Sequence, residues 1–229
     1  SKEAQNKVIF KHNKRKIILS TNIAQTSLTI EGVKIVIDTG LEKVSRYNYA
    51  NAMDHLELGF ISKDSSIQRA GRAGRLSRGK CYRLWHENKI LQEIDKPEIL
   101  SADLSSLLLD LALWGVTEFE ELKWLDIPDR SIIQNTKEVL KKLSMLDSRY
   151  EITQFGKDAL SLGLHPRFSY MILKANDLGY AYEACLLSAL LEEKDIYKNI
   201  FRSSDISTRF IHLFEKDFND TYIHKHRAK

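Results

Sequence analysis

Gln68-Arg69-Ala70-Gly71-Arg72-Ala73-Gly74-Arg75 sets three arginines and a glutamine on a backbone otherwise made only of alanine and glycine. Read as a helix, it places Gln68, Arg72 and Arg75 at i, i+4 and i+7, projecting from one face toward one target. Such a target is anionic. Guanidinium is always charged and presents a planar fork of donors, so a pair one turn apart suits a triphosphate whose charge grows on its equatorial oxygens during transfer. Gln68 is then placed to orient a water. Glycine inside a helix costs roughly 1 kcal/mol against alanine, so two of them argue that another backbone or a second domain comes close. The competing interpretation is a solvated basic turn, but such turns normally interleave Glu and Lys, and this one has neither.

A second segment sharpens the case. Lys14-Arg15-Lys16-Ile17-Ile18-Leu19 runs from basic to apolar and predicts a short buried strand at Lys16 to Leu19. Ser20-Thr21-Asn22-Ile23-Ala24-Gln25-Thr26-Ser27-Leu28-Thr29-Ile30 follows, crowding hydroxyls and amides at the strand's C-terminal end. Open α/β sheets bind ligands in the crevice beyond those ends. A Ser/Thr-rich turn by itself is more often a helix cap, and its pairing with the arginine stretch is what points to a site.

In this order, and with a hairpin-like insert between them, the two segments resemble motifs V and VI of the DEAH-box helicases. The flanks Asp38-Thr39-Gly40-Leu41 and Gly79-Lys80-Cys81-Tyr82-Arg83-Leu84-Trp85 look like the bacterial HrpB-like subgroup. So do Leu111-Ala112-Leu113-Trp114-Gly115, Trp124-Leu125-Asp126, His165-Pro166-Arg167 and Leu190 through Asp195, so the resemblance covers most of the chain. It implies an ATP-dependent RNA helicase. Gln68, Arg72 and Arg75 take the catalytic places, the glutamine positioning the attacking water and the two arginines reaching the γ-phosphate. Thr21 and Asn22 take places that touch the RNA backbone, while Ser27, Thr29 and Glu31 lie toward the ATP. Gln25 stands where the family usually carries Glu, and the lost charge implies looser coupling to the arginine motif.

ATP and Mg²⁺ are the implied cofactors, bound only together with a preceding RecA-like domain. Gly74-Arg75-Leu76-Ser77-Arg78-Gly79-Lys80-Cys81 imitates a P-loop until its last position, where Cys81 offers no hydroxyl for Mg²⁺ and the segment enters a strand instead of leaving one. With no Asp-Glu-Ala-His box in the sequence either, the chain is expected to be the second half of a motor, cut at its N-terminus. Isolated, it is expected to lack ATPase activity. No metal site of its own is expected.

Composition fits an intracellular, cytoplasmic enzyme. The 229 residues carry a formal charge of +4 and a pI near 8.9, mildly basic, which permits nucleic-acid binding without demanding it. Cys81 and Cys185 read as packed thiols, and there is neither a signal peptide nor an apolar run long enough for a membrane span.

The predicted fold is α/β followed by mostly α. Residues 1–96 form a partial, N-terminally truncated RecA-like parallel sheet, opening on a helix-like Ser1 to Gln5 and including a strand at Val33 to Ile37. Its insert, Glu42 to Ile61, alternates around an Asn-rich turn at Asn48 to Ala52, the signature of a β-hairpin. Lys43, Arg46 and Tyr47 then either serve RNA phosphate and stacking contacts or belong to an ordinary exposed hairpin. Asp64, Ser65 or Ser66 is expected to cap the helix that follows. Residues 97–163 predict a winged-helix domain: a helix from Asp103 to Gly115, a second from Asp129, and a wing at Tyr150 to Thr153. Its Lys137, Lys141 and Lys142 are either nucleic-acid contacts or a solvated face. Residues 164–229 predict helices beginning at His165-Pro166, as a ratchet-like domain would, with His165 capping or packed. A rival function is a non-enzymatic winged-helix module that binds nucleic acid or protein, and nothing in the sequence separates RNA from DNA except the resemblance.

Overall fold

The apolar run around Val33 to Ile37 becomes strand β1, Ile35–Asp38, in the computed structural model, and β1 pairs in parallel with β4, Lys80–Arg83. Val36 lies opposite Cys81 and Asp38 opposite Arg83. Two parallel strands require a crossover. Here it holds the expected antiparallel hairpin, β2 (Leu41–Asn48) with β3 (Met53–Phe60), and then a helix, Lys63–Gly71. Gly40 makes the corner after β1 at φ +72°, where a Cβ would come within 2.6 Å of the Trp85 ring. The Ile61 amide donates to the Gly40 carbonyl at 3.0 Å and closes the hairpin's base.

The structure describes residues 9, 14–26, 30–49, 53–197, 203–216 and 222–223. The opening segment Ser1 to Gln5, Ser27, Thr29 and most of the hairpin turn lie outside them. The chain divides into two compact units, Ser1–Asp103 with Asp126–Pro128, and Leu104–Leu125 with Asp129–Lys229. The parting near Asp103 differs from the sequence-based boundary at residue 96, and the second unit spans the boundary predicted after residue 163.

Within the first unit, the expected strand at Lys16 to Leu19 is not formed. Ile17 and Leu19 are 86% and 95% exposed, because an extended segment becomes a strand only where a neighbour supplies the ladder. A four-residue helix, α1 (Ile23–Thr26), follows. The helix Lys63–Gly71, here α2, is capped two residues before the earliest of the expected caps Asp64, Ser65 and Ser66, which corrects that expectation. Ser62 is its N-cap, its hydroxyl accepting from the Ser65 amide at 3.0 Å. The Lys63 and Asp64 amides donate to the carbonyls of Gln92 and Glu93 at 2.7 and 3.1 Å, so orphan donors of the first turn are satisfied. At the other end the amides of Arg72 and Ala73 fall back to the carbonyls of Arg69 and Ala70. The helix therefore stops at Gly71, where two nearby glycines weaken it. This corrects the single-face reading: Gln68 is on the helix, Arg72 caps it, and Arg75 sits on the bend beyond.

The second unit has the apolar core. Helices α3 (Ser105–Leu113) and α4 (Arg130–Lys142) pack Leu108, Leu109, Leu111, Ile133 and Leu140 inward with Phe119, Met145 and Leu146. Gly115 follows α3 at φ +83°, as a helix-ending glycine does. Asp129 caps α4 by accepting from the Ser131 amide at 2.8 Å. The predicted wing is reduced to one antiparallel bridge, Leu146 to Ile152. Helix α5 (Gln154–Ser161) leads to α6 (Pro166–Asp177), with Pro166 at the start and the His165 Nδ1 accepting from the Arg167 amide, the capping role expected of it. Helices α7 (Ala181–Glu192) and α8 (Ile206–Phe214) complete the unit. Cys185 on α7 is exposed, which corrects the expectation of a packed thiol; Cys81 is half-buried.

Gly79 tests the parallel pair. A Cβ there would lie 2.1 Å from the Ala73 carbonyl oxygen and 2.8 Å from that of Lys34, both backbone atoms that cannot step aside. Gly79→Ala is expected to destabilise the first unit by about 2 kcal/mol or more. Gly71→Ala, with nothing within 4 Å of its Cβ, should be neutral or stabilise by roughly 0.5 kcal/mol. Urea unfolding midpoints of the two variants check the contrast.

Candidate functional site

Arg69, given no role of its own by the sequence, is the centre of the site. Its guanidinium donates to Gln25 Oε1 at 3.0 Å, and to Asp38 Oδ1, the Leu41 carbonyl and Glu42 Oε2, each at 3.2 Å. One side chain of α2 thereby joins α1, the C-terminal end of β1 and the first residues of the hairpin. Asp38 is almost fully buried, and its Oδ1 also accepts from the Gly40 amide at 3.0 Å. Its other oxygen, Oδ2, is buried without a hydrogen-bond partner. Burial pushes the Glu42 carboxyl above the usual carboxylate range; Asp95 adds to the rise, Arg69 opposes it, and Asp38 adds a smaller push.

Gln25 has two further partners. Its Nε2 donates to Ser65 Oγ at 2.7 Å, and Ser65 Oγ donates to Asp95 Oδ2 at 2.7 Å. The Gln25 main-chain carbonyl accepts from Arg72 Nε at 2.7 Å and also from Arg72 Nη2. Gln25 thus meets two arginines of the motif, its side-chain amide oxygen holding Arg69 and its main-chain carbonyl holding Arg72.

The remaining predicted residues are placed as follows. Gln68 Nε2 donates to Asp64 Oδ2 at 2.6 Å, one turn back on the same helix. Arg75 is exposed, and no hydrogen bond or ion pair joins it to any described residue. Thr21 and Asn22 stand exposed at the start of α1, and Glu31 is exposed in the turn before β1. Lys43 and Arg46, three residues apart on β2, point to opposite faces of the hairpin. Lys43 shares its face with the exposed Leu56, Leu58 and Phe60, whereas Arg46 pairs with Glu57 at 3.0 Å beside His55. They do not form one basic patch.

Lys137 is a correction. It is buried on α4, its Nζ 3.5 Å from Glu118 Oε2 and 5.2 Å from the centre of the Tyr150 ring. Lys141 lies against the same ring at 5.5 Å. These cations brace the tyrosine, so Lys137 is withdrawn from the basic face that the rival binding module requires, Lys141 is half-buried, and Lys142 alone of the three stays exposed.

Both the sequence and the fold match known proteins. Residues 1–77 match the helicase conserved C-terminal domain. Over 228 residues, 95% of this chain and 18% of the relative, the sequence is 35% identical to the ATP-dependent RNA helicase HrpA of Escherichia coli (strain K12). It is 36% identical to HrpB of the same organism over 181 residues, 78% of this chain and 22% of that protein. The crystal structure of the Escherichia coli DEAH/RHA helicase HrpB superposes with a TM-score of 0.82 at 34% identity, covering 90% of this chain and 26% of that one. The chain belongs to the DEAH-box RNA helicase family, among its HrpA- and HrpB-like members. It spans about a fifth of the length of these relatives.

Among the described residues no helix is long and apolar enough to cross a membrane, and no group of His, Cys, Asp and Glu is arranged to hold a metal ion.

The raised Glu42 carboxyl gives a signed prediction. A folded-state rise means that protonated Glu42 fits the fold better than its anion, so the benefit is full at acidic pH and lost as pH climbs through the folded value. Glu42→Gln, which keeps an oxygen for Arg69, should unfold at higher urea than the parent at pH 7. Its advantage should vanish as the pH falls into the range where Glu42 itself takes up a proton.

Proposed function

We propose that this chain is the second half of an ATP-dependent RNA helicase motor. The observation that carries the reading is the contrast between two arginines seven residues or fewer from Gln68: Arg72 is held on α1, while Arg75 stands on an exposed bend beside Gly74 with no partner among the described residues. Among the described residues no carboxylate claims that cation. A Cβ added at Gly71 or Gly74 would meet none of the described residues within 4 Å, which leaves the motif's backbone bare for a facing surface. In our reading that surface is a preceding RecA-like domain carrying the Walker A and DEAH residues absent from these 229, and ATP lies between the two.

Arg75 reaches the γ-phosphate directly. Arg72 joins it while its Nε stays on the Gln25 carbonyl, turning the rest of the guanidinium to phosphate oxygens, which are strong acceptors because they are charged. Gln68 orients the attacking water. Ser27, Thr29 and Glu31 lie on the nucleotide side. The carboxylates that gather here, Asp38 and Glu42, are engaged by Arg69, and these residues do not fit a resident Mg²⁺; we assign the ion to the facing domain.

Thr21 and Asn22 contact the RNA backbone next to α1, so closure around the nucleotide is felt by the RNA. Lys43 or Arg46 adds a phosphate contact on one face of the hairpin, not both at once. Backbone contacts carry no base information, so binding is sequence-tolerant and salt-sensitive. Residues 97–163 serve as a winged-helix domain and residues 164–229 begin a ratchet-like one, in a cytoplasmic enzyme. Burial of Lys137 argues against the rival nucleic-acid module.

Arg75→Ala in the intact polypeptide that carries this chain should lower the ATPase kcat by about 10³-fold or more, the scale of a finger arginine, with KM little changed. The 229 residues alone should show no RNA-stimulated hydrolysis. Undiminished turnover by Arg75→Ala, measured by phosphate release, would remove the proposal.

A further inference from the structure

The Gln25, Ser65 and Asp95 chain has a direction that its ends impose. Arginine can only donate, so the Gln25 oxygen must face Arg69 and its nitrogen must face Ser65. A hydroxyl that accepts from that nitrogen has one proton to give, and the structure gives it to Asp95. Asp95 in turn lies on the segment whose Gln92 and Glu93 carbonyls receive the first amides of α2. The relay thus runs from the helix that bears the arginines, through the α1 residue that holds Arg72, to a loop fixed on that same helix.

We infer that Asp95 is a positioning residue for Arg72, acting through Ser65 and Gln25, and that the neutral amide at residue 25 and the carboxylate at residue 95 are a matched pair. The inference rests on the motor reading, since it is the alignment of Arg72 for the nucleotide that is at stake. With both ends of its side chain tied, Gln25 holds its main-chain carbonyl where Arg72 docks. Arg69 already has two carboxylates, Asp38 and Glu42, within 3.2 Å. A glutamate in place of Gln25 would add another next to Asp95 and compete with it for the single Ser65 proton. One of the two acids would lose its donor, and the carbonyl that receives Arg72 would shift. Exchanging Asp95 for asparagine as well reverses the polarity of the relay: the introduced amide donates to Ser65, and Ser65 donates to the introduced carboxylate.

The exchange can be measured in the intact polypeptide. Q25E, D95N and the double variant Q25E/D95N are compared by RNA-stimulated ATPase kinetics and by thermal unfolding. Q25E should lower kcat about tenfold and D95N several-fold, with the ATP KM within about twofold of the parent, as for an interaction felt in the transition state. The double variant should return kcat to within about threefold of the parent and recover the loss in melting temperature shown by Q25E. Independent losses that multiply in the double variant, or a Q25E enzyme as active as the parent, would overturn the inference. Its failure is distinct from failure of the motor reading. If Arg75→Ala leaves hydrolysis intact, the motor reading falls, while the melting temperatures of the three variants still decide whether the relay exists.

Discussion

One guanidinium holds the first unit together. Its described residues bury few large apolar side chains, Ile61 being the chief one, and Ile35 and Ile37 of β1 are more than half exposed. Apolar burial therefore contributes little between α1, β1, the hairpin and α2. Arg69, itself on α2, bonds to the other three. Its partner Asp38 is buried, so losing the arginine would strand a charge in a poorly solvated place, an error that typically costs about 3–5 kcal/mol. The pair itself adds less than that, because burying both ions offsets much of their attraction. What it secures is geometry: α1, the end of β1, the base of the hairpin and α2 are set at fixed places by a polar knot.

The two units thus rely on different physics. In the second, Leu104, Leu109, Leu140 and Met145 are buried almost completely, and helical periodicity finds most of the inward positions. In the first, parallel strands with exposed isoleucines are unusual, since such sheets are normally covered on both faces. A sheet of this kind is at home as part of something larger, in keeping with relatives several times as long.

Legibility follows the same division. The hairpin, the parallel strand, the Pro166 helix start and the glycine-terminated helices were readable because each depends on a local signal a few residues long. The strand at Lys16 to Leu19 was misread because its pattern was right but its partner was lacking. The arginine motif was found, and its shape was not: a continuous helix to Arg75 took its two glycines as a sign of close approach, whereas the helix ends at Gly71. Arg69 and Asp95 escaped notice because their roles depend on partners 27 to 44 residues away, or 30, which no spacing rule encodes. Lys137 shows the reverse error, a cation counted as surface whose stem is packed and whose tip is held by Glu118 and Tyr150.

The bare peptide units at Gly71 and Gly74 have a consequence for how damage at this site would look. A methyl group there touches nothing within the chain, so folding, solubility and melting would report a healthy molecule. Harm would surface only on encounter, when an opposing surface tried to occupy the same volume. A methyl group at either position is thus a change whose cost would not register in stability assays on the chain in isolation.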